Sequence, residues 1–418
     1  MNILIKSACI IDSSTKFHNQ TVDILIEDGT ITEIGTSITS NAAKIVSYEN
    51  LHVSQGWFDS SVVFGEPGHE ERETLLNGLK TAALSGFTYI ALQPNTTPKV
   101  DNASTINYLK NYPHTFATQI VPIGSLTVNG DGIDLAELYD MKQHGAIGFG
   151  DYKKPVKNPN LLKLALQYAQ SFNGLVQSFP LDSQIAGTSF VNESLNTTQL
   201  GFKGIPSLAE ELQIARDLYL LEYTGGKLHI PTISTAVAVK LIKEAKNKGL
   251  NVSCSVAVHQ LIFTDSHLES FDAHYKVMPP FRSEDDRLAL IKGVKDGTID
   301  TITSDHCPMD IEQKKVVMHQ AKYGTIGLES AFGILRTLFG TELIVEKLNT
   351  GKSLFGIQEL PIKKGSKANL TLFDPKQEAM FSLNDILSTS KNSAFIGLPI
   401  KGKVYGTIAN GATTLKSN

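Results

Sequence analysis

Cysteine is scarce in this chain of 418 residues: Cys9, Cys254 and Cys307 are the only three, far apart and without a C-x-x-C. A disulfide framework and a thiolate zinc site both fail on that count, and a reducing cytoplasm is the expected compartment. Paired histidines are missing as well. The 11 histidines contain no H-x-H, H-x-x-H or H-E-x-x-H, so no local pair has the spacing of a metal clamp. A basic excess is also absent, with 38 Lys+Arg against 42 Asp+Glu and a net charge of -4, which argues against a nucleic-acid groove. No run approaches the roughly 18 apolar residues of a membrane span, and Met1-Asn2-Ile3-Leu4-Ile5-Lys6 lacks the apolar core of a signal peptide. What remains is an ordinary globular composition, 41% hydrophobic and 19% charged, long enough for one large barrel or two to three smaller domains.

Residues 1–55 alternate short β-rich runs with turns such as Glu27-Asp28-Gly29, and residues 365–418 return to that texture with Ala368 to Phe373, Gly402 to Tyr405 and Asn410-Gly411. These two ends are expected to pair into one small β-sandwich. Between them, residues 56–364 carry eight apolar runs separated by helical stretches: 56–63, 88–92, 119–123, 146–149, 175–178, 227–233, 251–256 and 298–304. That alternation predicts a (β/α)8 barrel with its chemistry at the C-terminal ends of the strands, an open doubly wound sheet being the runner-up. Helices are expected over Glu70 to Leu84, Ser207 to Tyr223 with Ser207 and Glu210 as a capping box, and Thr235 to Asn247. Glu70-Glu71-Arg72-Glu73 reads as an acidic first turn, and Lys240, Lys243, Lys246 and Lys248 as a solvated basic end.

The strand ends carry Asp59-Ser60-Ser61-Val62-Val63-Phe64-Gly65, then Pro94-Asn95-Thr96-Thr97-Pro98, Gly150-Asp151-Tyr152, Ser178, Thr232, His259 and finally Ser304-Asp305-His306-Cys307-Pro308. With Gly204 to Glu210, Arg216-Asp217, Thr224 to Ile230, Pro279-Pro280-Phe281-Arg282, Gly297 to Asp300 and Gly327-Leu328-Glu329, the chain resembles the dihydroorotases of the amidohydrolase superfamily along nearly its whole length. The resemblance implies an amidohydrolase-type barrel capped by a β-sandwich from both termini. It further implies zinc-assisted hydrolysis or closure of a cyclic amide in pyrimidine synthesis.

A ligand count sets that activity in question. By the resemblance, the family's Asp-x-His-x-His on strand one falls on Asp59, Ser61 and Val63, its strand-five histidine on Ser178 and its strand-six histidine on Thr232. Only Asp151 and Asp305 persist as metal remnants, with Asp305 also standing where a catalytic base would. The substrate-binding arginine falls on Gly65, and two further family positions on Met278 and Met309, while Asn95 and His306 are kept as vestiges of substrate binding. No cofactor is expected, beyond a weak oxygen-rich divalent site assembled from Asp151, Asp305, His306 and His259.

Blander readings stand beside these. Asp151 and Asp305 fit carboxylates bonded to backbone and neighbouring side chains, His229 and His259 fit hydrogen-bonded strand-end residues, and Cys307 fits a buried structural thiol. An Asp305-His306 dyad requires the strand to have ended, since neighbours on a strand face opposite ways. The expected protein is thus dihydroorotase-like, without hydrolytic activity, homo-oligomeric, and a structural partner of aspartate carbamoyltransferase. The alternative is an active cyclic-amide hydrolase with a reduced metal site or none.

Overall fold

The computed structural model describes residues 2–40 and 44–416. Its first five strands are β1 (Ile3–Ile11), β2 (Thr21–Glu27), β3 (Thr30–Gly35), β4 (Lys44–Val46) and β5 (His52–Gln55). All eight expected barrel strands follow: β6 (Trp57–Val62), β7 (Phe87–Leu92), β8 (Gln119–Gly124), β9 (Gly148–Phe149), β10 (Val176–Gln177), then, beyond the short pair β11 (Val191–Asn192) and β12 (Gly204–Ile205), β13 (Leu228–Ile230), β14 (Val252–Ala257) and β15 (Thr301–Thr303). The chain ends on β16 (Asn369–Met380), β17 (Pro399–Ala409) and β18 (Ala412–Leu415).

The eight barrel strands are parallel neighbours in the order β6-β7-β8-β9-β10-β13-β14-β15. The ring closes where Val62 bridges His306 in parallel and Val63 N–H donates to His306 O at 2.8 Å. A closed parallel ring needs helices outside it to cover its apolar strands, which the helical stretches supply. Inside, Phe58, Ala91, Ile123, Leu175 and Phe355 pack together, with Phe355 edge-on to Phe58 at 5.4 Å and to His229 at 5.2 Å. Burying several large rings there, at about 1.5–3 kcal/mol each, fixes the barrel without involving any residue at its mouth.

The chain ends do pair. β5 runs antiparallel to β16 with Val53 opposite Leu372, joining β1–β5 and β16–β18 into one eight-stranded sheet. That sheet curls until Ile31 N–H reaches Ser366 O at 2.9 Å, enclosing a core of Ile5, Ile24, Val53, Leu370, Leu372 and Ile408.

Three local expectations need correction. The first helix is Leu75–Leu84, capped by Thr74, whose hydroxyl accepts from Asn77 N–H at 3.2 Å. The acidic run before it turns instead: Glu73 is fully buried, accepting from Thr389 N–H at 2.8 Å and Asn77 Nδ2 at 3.0 Å, while Glu66 takes the helix-start N–H of Leu75 at 2.8 Å. The helix Leu208–Thr224 starts at Ser207 without a side-chain cap. Glu210 faces inward, accepting from Ser234 N–H at 2.7 Å and Thr235 N–H at 3.2 Å, so a tertiary partner outcompetes the capping box. The helix Ala236–Asn247 forms as expected behind Thr235, with Lys240, Lys243 and Lys248 exposed as expected and only Lys246 half-buried, gripping both oxygens of Asp300 at 2.7 Å.

Candidate functional site at the barrel mouth

β15 stops at Thr303, and the chain turns sharply at Asp305, whose φ of 48° lies in the left-handed region. Such a conformation costs an L-residue on the order of 1 kcal/mol and persists where partners fix it. Asp305 has three. Its Oδ1 accepts from Ser61 Oγ at 3.1 Å, and its Oδ2 lies 2.7 Å from Lys153 Nζ and 3.3 Å from His259 Nε2. Burial would raise the Asp305 carboxyl, but the Lys153 ammonium and His259 outweigh it and hold the group below its ordinary value. His259, wholly buried, is pushed down by desolvation, which Asp305 only partly opposes. Asp305 is thus a charged carboxylate clamped by an ammonium that the sequence reading did not single out. Lys153 follows Asp151 in the loop after β9, and its proximity to strand eight is a long-range fact of barrel closure.

The other strand-end positions go to separate tasks. Asp59, fully buried, accepts from Ser61 N–H at 3.0 Å, Ser304 N–H at 2.9 Å and the Thr303 hydroxyl, stitching strand one to strand eight. Desolvation raises its pKa to about 6. Asp151 turns away from Asp305 and binds the loop after β8, taking Leu126 N–H at 2.9 Å, Thr127 N–H at 3.1 Å and Thr127 Oγ1 at 2.6 Å. The two remnant carboxylates therefore do not converge. Ser178 Oγ donates to Asp217 at 2.6 Å, and Arg216 grips the same carboxylate at 2.7 and 2.9 Å. Thr232, at φ 49°, gives its N–H to Ser255 Oγ at 3.1 Å. Val63 packs with Cys307 and Met309 in an apolar patch. At Gly65 a Cβ would run into the carbonyl oxygen of His69, because residues 65–73 fold back on themselves, so an arginine there is sterically excluded.

The vestigial substrate residues also part company. His306 points away from Asp305: its Nδ1 accepts from Gly327 and Leu328 N–H at 3.3 and 3.4 Å, and Phe64 stands edge-on at 6.0 Å. Burial lowers its pKa to about 4. No Asp305-His306 dyad forms, and the imidazole beside Asp305 is that of His259. His229 lies between Ser253 and Ser255, at 2.9 and 3.3 Å, a hydrogen-bonded core residue. Asn95 lines a cavity of about 430 Å³ above the mouth with Tyr152, Lys153, Met278, Cys307 and Met309. Beneath it, between Ser61, Gln177, Thr232 and Asp305, only about 10 Å³ is left, less than or about one water.

These donors fit zinc badly. Zinc needs about four imidazole, thiolate or carboxylate donors, or three with water. Here Asp59 and Asp151 spend both oxygens on protein donors, Asp305 faces an ammonium, and among the described residues no group of three or more His, Cys, Asp and Glu could hold an ion.

Comparison with known proteins agrees with the fold. L-hydantoinase from Arthrobacter aurescens superposes with a TM-score of 0.85 at 21% identity, covering 100% of this chain and 98% of that one. Dihydropyrimidinase from Brevibacillus agri gives 0.84 at 21%, covering 100% and 95%. The fold is therefore that of these two enzymes, a parallel barrel with a second sheet from the chain termini. A family model described as Dihydro-orotase-like matches residues 52–238. The dihydroorotases of Acetivibrio thermocellus and Trichlorobacter lovleyi are 37% and 35% identical over 99% and 98% of both chains. This chain belongs to the dihydroorotase family. Among the described residues no helix is long and apolar enough to cross a membrane.

Proposed function

We propose that this dihydroorotase-like protein of pyrimidine biosynthesis has given up hydrolysis and works in the cytoplasm through protein contacts, as a homo-oligomer and a structural partner of aspartate carbamoyltransferase. The observation that carries the reading is the 2.7 Å contact of Lys153 Nζ with Asp305. An ammonium there satisfies the carboxylate electrostatically, as a metal ion would, but supplies no Lewis acid to bring water from a pKa of about 15.7 towards 7. Ser61, Val63, Ser178 and Thr232 offer no imidazole to recruit one.

The test joins elemental analysis of the purified protein to a dihydroorotate hydrolysis assay with and without added zinc or manganese. Absence of turnover in every condition is expected, together with co-purification of aspartate carbamoyltransferase. Near-stoichiometric metal with turnover would overturn the reading. A second reading, an altered cyclic-amide hydrolase, draws support from the 3.3 Å contact of His259 Nε2 with Asp305. It requires that Asp305→Asn abolish a measurable turnover while the protein stays folded.

A further inference from the structure

The cavity of about 430 Å³ above the plugged mouth has the size of a small-molecule site. Its walls come from Leu181, Ala186, Ile205, Met278, Met309 and Tyr323. Two thioethers and a phenol ring make a surface suited to a flat aromatic body, since sulfur–aromatic contacts contribute about 0.3–1.5 kcal/mol each.

Its charge has one sign. Lys153 and Lys322 line the cavity and no carboxylate does. Lys276 lies 5.0 Å above the Tyr323 ring, and Lys314 is buried close by; both give their ammonium groups to backbone carbonyls, at 2.9 Å to Met318 O and 2.9 Å to Ala273 O. Among the described residues only Lys153 of these four has a carboxylate within ion-pair distance, and Asp305 accepts just one of its three N–H groups. Tyr152 also lines the cavity, but its hydroxyl is buried against the Cys307 thiol, to which it donates. The unpaired Lys322 and the spare N–H groups of Lys153 beside an apolar wall define the complement: one anionic head on an apolar ring.

We propose that this cavity binds a small aromatic monocarboxylate, its carboxylate between Lys322 and Lys153 and its ring against Met278, Met309 and Tyr323. The inference rests on Lys153 closing the deeper mouth, and it concerns binding without turnover. The site differs from a metal-centred one because Lys153, held by Asp305, stands at its base, and Leu181, Ile205, Met278 and Met309 line it beside the polar Asn95, Ser183 and Ser189.

Calorimetric titration and thermal shift of the full chain with phenylacetate test it, alongside phenylacetamide, benzylamine, succinate and dihydroorotate. Phenylacetate is expected to bind and raise the melting temperature. Phenylacetamide should bind at least five-fold more weakly, and benzylamine and succinate without measurable heat. Lys322, exposed at the rim, can change without disturbing the core, so Lys322→Ala should weaken phenylacetate at least five-fold and Lys322→Glu should abolish it. Ala186→Phe should fill the cavity and block binding. Equal affinity for phenylacetate and phenylacetamide, or affinity unchanged in both Lys322 variants, overturns the inference. So does dihydroorotate binding more tightly than phenylacetate. Hydrolysis of dihydroorotate with phenylacetate bound as predicted would instead overturn the proposed loss of activity and leave the cavity assignment standing.

Discussion

Glu210 with Arg282 and Asp305 with Lys153 are two buried ionic networks of this barrel, and their surroundings are finished to different degrees. Arg282 donates to Asn192 Oδ1 and Ile205 O at 2.9 Å and to Ser234 Oγ at 3.1 Å, and Glu210 lies 3.6 Å from it while taking three further donors from Ser234 and Thr235. Around Asp305, by contrast, His259 Nδ1 and Gln177 Nε2 are buried without hydrogen-bond partners. Full satisfaction marks a structural network, whereas buried polar atoms left without partners mark one that is energetically less complete. The Pro279-Pro280-Phe281-Arg282 and Gly204 to Glu210 motifs serve the first network, which gives them a structural task apart from the mouth.

Breaking the finished network should cost most. Arg282→Met leaves Glu210 buried with its charge uncompensated, and about 3–5 kcal/mol of stability should be lost in urea unfolding. Adding Glu210→Gln should restore less than half, because Asn192, Ile205 and Ser234 still lack their partner. Near-complete restoration would show the two networks to be alike.

Asp59 belongs with the finished kind, and pH separates it from the mouth. Its folded pKa, about 6, lies above the ordinary 3.8. The stability linked to a raised carboxyl is fully present below 3.8 and is lost as pH rises through about 6. Relative to Asp59→Asn, the native chain should therefore gain stability as pH falls from 7 to 4, by up to about 3 kcal/mol at 1.36 kcal/mol per unit. Unfolding midpoints of both proteins across that range check it, and a constant difference would mean that burial does not dominate at Asp59.

Lys153→Met attacks the unfinished network. Asp305 keeps Ser61 and His259, so a smaller loss of about 1–3 kcal/mol is expected. Lys153→Met with Asp305→Asn should recover most of it, since removing both charges removes the conflict. A loss as large as that of Arg282→Met would place the mouth among the structural networks.

Much of the fold was legible because strand periodicity is local: eight apolar runs between helices and β texture at both ends suffice for the barrel and its companion sheet. That Ser61, Val63, Ser178 and Thr232 carry no imidazole was legible from the sequence directly. Pairing across the barrel was not. Lys153 lies 152 residues from Asp305 in sequence, and nothing local tells an inward lysine from a solvated one. Asp151 looked equivalent to Asp305, yet its oxygens face Leu126 and Thr127. Glu210 and Glu73 satisfied helix-start patterns but face buried partners instead, because a helix N-terminus competes with tertiary donors of similar strength.

Ser178 offers the smallest and most discriminating change. It stands where the dihydroorotase resemblance places a ligand histidine, and its hydroxyl serves Asp217, which Arg216 and Gln213 also hold. Ser178→Ala removes one hydrogen bond from a carboxylate with partners to spare, so about 1 kcal/mol should be lost. Phenylacetate affinity should stay unchanged, because Ser178 does not line the cavity. A stability loss with unchanged binding would mean that this position has passed from the site to the scaffold. A shift in ligand affinity would tie the Asp217 cluster to the mouth and dissolve the division between finished and unfinished networks.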